Sequence, residues 1–148
     1  MPIVSAIFLS LTAGVITAIP GFLSELGPAG PKDIPLLVDI KTFWGRSLSR
    51  GEVFWFGLFI HLLMAALFGA LYELIVVKSF VQPYHLDNLM IYAVFFWLFV
   101  GGVIFPIVGL GLFGKKEGKW VWFELLVVHH LFGLFMWLLV ALFPVLLP

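Results

Sequence analysis

Four long apolar runs divide the chain, at residues 3–23, 53–77, 89–113 and 121–147, and most charged residues collect between them. A helix rising 1.5 Å per residue crosses a hydrocarbon core of about 30 Å in ~20 residues, so each run is long enough to span. The second and fourth exceed that length, which predicts some tilt. The pattern predicts an all-α fold: a four-transmembrane-helix bundle forming a single integral membrane domain over residues 1–148. No Lys or Arg precedes the first run, so it lacks the positive start of a secretory signal and is expected to be a retained span.

The connections differ. Residues 24–50 begin with Gly27, Pro28, Gly30, Pro31 and Pro35, then place Leu36, Leu37, Ile40, Phe43, Trp44 and Leu48 on one helical face. With Asp33 as N-cap and Pro35 in the first turn, this predicts a short amphipathic helix lying in the membrane interface. Residues 78–88 form a short loop, and GKKEGK at 114–119 a basic turn. The 24–50 loop carries Lys32, Lys41, Arg46 and Arg50, the 114–119 turn carries Lys115, Lys116 and Lys119, and the remaining loop only Lys78. This asymmetry predicts that both basic loops are cytoplasmic and both termini face outward, in a plasma (inner) membrane.

AGVITAIPG (13–21) resembles GGVIFPIVG (101–109), and FWFGLFIHL (54–62) resembles WFELLVVHH (122–130). The two similarities predict a 2+2 repeat, first span with third and second with fourth, inserted in the same direction.

Composition sharpens the picture. Hydrophobic residues make up 63% of the 148 and charged residues 11%, against about 25% charged in ordinary soluble domains. Net charge is zero, so no global field attracts nucleic acid. With no cysteine, disulfides, iron–sulfur clusters, thiolate zinc sites and covalent haem attachment are excluded. No Ser/His/Asp set, HExxH, P-loop or GxGxxG is present, and the expectation is a protein that is not an enzyme.

Candidate chemistry reduces to His61 in the second run and His129 in the fourth, at matching depth, roughly 6–8 Å to the cytoplasmic side of the bilayer centre. A histidine in hydrocarbon needs a partner. Three readings compete. In the first, Pro20 and Pro106 free the carbonyls of Ile16 and Gly102, and a neutral imidazole donates to one of them as interhelical glue. In the second, His61, His129 and His130 are candidate axial ligands of haem b or a chlorophyll-type pigment, with Ala65, Ala66, Gly69 and Gly133 opening a slot for the macrocycle. No metal other than that of a tetrapyrrole is expected. In the third, the histidines belong to a proton or solute path, as in a small transporter; the runs hold few other polar groups to line one. His130 points about 100° away from His129, so the pair does not easily share one metal. His85, in an HLD loop sequence, is read as solvated. Trp44, Trp55, Trp120 and Trp122 are expected in a cytoplasmic belt, and Trp97 and Trp137 deeper.

PIVGLGLFG, with Pro106, Gly109, Gly111 and Gly114, then a short turn, then a span with His129, His130 and Gly133, resembles a widespread group of small four-helix bacterial membrane proteins of unknown function. AGVIT (13–17) and His61 agree with it. The long first loop and the doubled histidine depart from it. The resemblance implies a four-span topology and recurrence of both span histidines, and no activity.

The expected role is a non-catalytic accessory or scaffold subunit of a larger respiratory or photosynthetic membrane complex, its partners being the lipid bilayer and other membrane-protein subunits. Tetrapyrrole binding for electron transport or light capture is the alternative.

Overall fold

A computed structural model describes residues 3–26, 41–43, 45–79 and 84–143, with side chains omitted at 21, 22, 24–26 and 77. The described chain is mostly helical, and four helical stretches are long and apolar enough to cross a membrane. Helix α1 covers Ile3–Leu26. Strands β1 (Thr42–Phe43) and β2 (Arg46–Ser47) pair antiparallel around Gly45, whose φ of 81° suits a tight turn. Helix α2 (Arg50–Leu71) continues as a π-helix over Tyr72–Val77. Helix α3 (Leu86–Phe99) passes through a π-helical stretch, Val100–Ile104, into the short α4 (Phe105–Ile107). After a 3-10 turn at Leu112–Gly114, α5 runs over Val121–Leu142.

The interfacial helix expected in the first loop is not formed where it can be checked. Residues 41–43 and 45–48 belong to the hairpin instead, while Asp33, Pro35, residues 36–40 and Trp44 lie outside the described residues. The physical reason is tertiary. The Lys41 N–H donates to Glu117 Oε2 at 2.9 Å and the Thr42 hydroxyl to Glu117 Oε1 at 2.7 Å, holding this backbone extended. Phe43 packs edge-on against Phe56, with centroids 4.8 Å apart. The same carboxylate fastens the first loop to the 114–119 turn, so the two basic segments sit at one end of the molecule. Helix α2 opens at Ser49, whose N–H donates to Glu52 Oε2 at 2.8 Å, and Arg46 pairs with Glu52.

The third run stops being helical earlier than its apolar length predicts. Pro106 has no N–H for the Gly102 carbonyl, and just before it the helix widens so that the Phe105 N–H reaches the Val100 carbonyl, five residues back. The helix then ends at Ile107. Gly109, at φ 89°, allows the Leu110 N–H to bond Phe105 O at 2.9 Å and its own N–H to bond Pro106 O at 3.1 Å. This is a Schellman closure, sealed by the buried Leu110 and Phe105. The chain folds back: the Phe113 ring occupies the place a side chain at Gly101 would take, and Val121 the place of one at Gly114. Trp97 therefore meets the start of α5, donating to the Trp122 carbonyl at 3.0 Å and packing on Phe113. Trp97 thus belongs at the level of the expected belt and not deeper.

Helix α1 packs on α2 and α5, and α3 packs on α5. The α1–α2 contact is close because both faces are small. Ala6, Ser10, Ala13 and Thr17 are buried on α1, opposite Ala65 and Gly69. A Cβ at Gly14 would lie 2.7 Å from that of Ala65. Gly133 gives α5 similar access to α3: a Cβ there would lie 3.4 Å from the Leu89 carbonyl oxygen. Of the small residues expected to open a macrocycle slot, Ala65, Gly69 and Gly133 each lie against a neighbouring helix. Phe68 is the hub of the core, edge-on to Tyr92, Phe96 and Phe132 at 4.6–5.1 Å.

Candidate functional site

His61 sits on α2, on the same face as Ala65 and facing α1. Its Nε2 lies 2.9 Å from the Gly14 carbonyl oxygen and 3.1 Å from Thr17 Oγ1. The Thr17 hydroxyl itself donates to Gly14 O at 2.9 Å. A carbonyl oxygen only accepts, so a contact this short requires the proton on Nε2. The neutral ring then keeps its lone pair on Nδ1. This corrects the acceptor expected for the imidazole. It is Gly14 O, and not the Ile16 or Gly102 carbonyl freed by proline, because Gly14 lets the backbones approach until the ring reaches across. Pro20 and Pro106 are exposed.

His129 is handled differently. It is buried, and its Nδ1 lies 2.6 Å from the Leu125 carbonyl oxygen, one turn earlier on its own helix. The proton is therefore on Nδ1, and Nε2 carries the lone pair. The ring packs near Phe96, centroids 5.5 Å apart. His130 makes the equivalent bond to Leu126 O at 2.8 Å. The 2+2 repeat expected from the sequence would make His61 and His129 equivalent, yet one ring crosses to a neighbouring helix while the other bonds its own.

His61 and His129 nonetheless meet. Both line one chamber of about 70 Å³, walled by Met64, Phe68, Phe96, Val128 and Phe132 among others; His130 is not part of it. Among the described residues no buried polar side-chain atom lacks a hydrogen-bond partner. His61 Nδ1 and His129 Nε2 find no donor among the described residues, so each keeps some accessible surface. Apart from the two histidines and Met64, the residues lining the chamber are hydrocarbon or glycine. At about 30 Å³ per water it holds roughly two. The chamber volume is below the roughly 300–1,000 Å³ of a drug-sized site, and the chamber is open to the surface on one side.

At the opposite end, the Tyr84 hydroxyl donates to Glu73 at 3.0 Å. Burial, and then the Glu73 carboxylate, push the Tyr84 phenol far above its ordinary range. His85 and Asp87 form an exposed pair at 3.4 Å. Among the described residues there is no cluster of three or more His, Asp and Glu side chains arranged to hold a metal ion.

A signal for the His61 acceptor was present in the sequence but unused. Ala6, Ser10, Ala13, Gly14 and Thr17 recur at helical spacing, which marks the face of α1 that admits a close neighbour. The chain matches no protein-family model, no curated protein and no solved structure.

Proposed function

We propose that this chain is a four-span integral membrane bundle serving as a non-catalytic accessory or scaffold subunit of a larger membrane complex. The observation that carries the reading is how its polar groups are spent. Ser10 donates to Ile7 O, Thr17 to Gly14 O, Tyr92 to Phe68 O and His129 to Leu125 O. These bonds stabilise helices and their packing; they leave little to line a polar path. Outside, Phe8, Trp55, Phe59, Phe95 and Ile107 are each 60–67% exposed, an apolar and aromatic surface suited to lipid and to the spans of other subunits. The Glu117 tether between the two basic loops supports a topology with both on the cytoplasmic side and both termini outward, in a plasma (inner) membrane.

Cross-linking in native membranes, followed by purification in mild detergent and mass spectrometry, tests the role. The proposal predicts a defined partner recovered in fixed ratio. A stable, partner-free monomer from native membranes contradicts it. The tetrapyrrole reading is favoured by one feature, two histidines lining one chamber, and predicts a Soret band in the purified protein that His129→Ala abolishes.

A further inference from the structure

The chamber between α2, α3 and α5 contains chemistry that the scaffold role does not use. Each of its histidines has one ring N–H pinned to a backbone carbonyl, His61 Nε2–H to Gly14 O and His129 Nδ1–H to Leu125 O. That is the arrangement by which proteins fix the tautomer and raise the basicity of a metal-bound imidazole. The opposite nitrogens, His61 Nδ1 and His129 Nε2, keep their lone pairs. Met64, one turn after His61, lines the same space with a thioether. We infer that this chamber is a binding site for a single soft monovalent metal ion, with Cu(I) the physiological candidate, held by His61 Nδ1, His129 Nε2 and the Met64 sulfur.

Three observations select that ion. The donors are neutral imidazole and thioether, a set that favours Cu(I) over Mg²⁺, Ca²⁺ or Mn²⁺, which want oxygen. No carboxylate lines the chamber: Glu73 and Glu124 are not among its walls. A divalent ion would thus bring two uncompensated charges into hydrocarbon, where each is costly. Size then argues against an organic occupant. About 70 Å³ is less than half of the ~150 Å³ cavity that takes up benzene, but it is ample for an ion. The site differs from an axial tetrapyrrole site in the size of its occupant and in using Met64. It does not depend on the scaffold role: either can fail while the other stands.

The test uses the full-length protein in detergent under a reductant, titrated with Cu(I) against a chromogenic Cu(I) chelator, with Ag(I) as a redox-inert check. One equivalent is expected to bind. Met64→Leu, which conserves volume, and His129→Gln should each weaken binding by on the order of tenfold or more. X-ray absorption at the copper edge should show nitrogen and sulfur neighbours, the sulfur lost in Met64→Leu. Because His61 also joins α1 to α2, circular dichroism accompanies each variant, and Met64→Leu keeps the test decisive if a histidine variant unfolds. Cu(I) binding that is unchanged in folded Met64→Leu and His129→Gln overturns the proposal. So does the absence of binding to the wild-type protein, or equal affinity for Zn²⁺.

Discussion

Replacing Gly69 with alanine probes the helix contact on which the His61 bond depends. A Cβ at Gly69 would stand 2.5 Å from the Ala6 carbonyl oxygen and closer still to Ser10 Oγ. Real Cβ atoms do not approach backbone this closely, and the Ala6 carbonyl belongs to a helix that cannot yield locally. Overpacking of this kind costs about 1–3 kcal/mol. The same substitution gains about 0.5–1 kcal/mol, because alanine loses less chain entropy in a helix than glycine. The net is a loss of about 1–2 kcal/mol for Gly69→Ala. Gly102 supplies the control: a Cβ there meets nothing within 4 Å, so Gly102→Ala keeps the propensity gain alone and is expected neutral or slightly stabilising. Both are measured by SDS titration in mixed micelles, followed by far-ultraviolet circular dichroism. Equal midpoints for the two variants, or a stabilised Gly69→Ala, would refute the close α1–α2 packing.

Further outcomes follow from other residues. His61→Leu should cost about 0.5–2 kcal/mol in the same titration, the range for interhelical hydrogen bonds in membranes, and Thr17→Val should cost less once His61 is already gone, because the two share the Gly14 carbonyl. Gly109→Ala forces a side chain into the left-handed region at φ 89° and should cost about 1–3 kcal/mol, lowering the midpoint without changing helix content. Tyr84 sets a pH dependence: its phenol is raised in the folded state, so above about pH 10 the unfolded chain loses that proton first and stability falls as pH rises. Tyr84→Phe should flatten that decline, as followed by thermal melts across alkaline buffers.

Much of the fold was legible because hydrophobic length is a strong signal. The four runs coincide with the four long helices, and the first and second begin within a few residues of their expected starts. What the apolar pattern could not show was where backbone geometry overrides it. Residues 108–113 are as hydrophobic as a helix, but Gly109 and Gly111 take positive φ and turn the chain back, carrying Trp97 to the level of α5's first turn. Leu36 to Leu48 carries a helical stripe, yet Glu117, 75 and 76 residues away in sequence from its partners, holds part of it as a hairpin. At the site, His61 and His129, expected at one depth, both line one chamber. Their acceptors depended on which backbones touch, and Pro20 and Pro106 drew attention from Gly14, whose lack of a side chain decides the matter.

The two imidazoles are held in opposite tautomers by two backbone carbonyls, and nitrogen-15 NMR of histidine-labelled protein in lipid reads this directly. The account predicts two neutral rings near pH 7, one protonated on Nε2 and losing that signature in His61→Leu, the other protonated on Nδ1 and losing it in His129→Gln. The same tautomer for the signal lost in His61→Leu and the one lost in His129→Gln, or either of them as imidazolium, would contradict it.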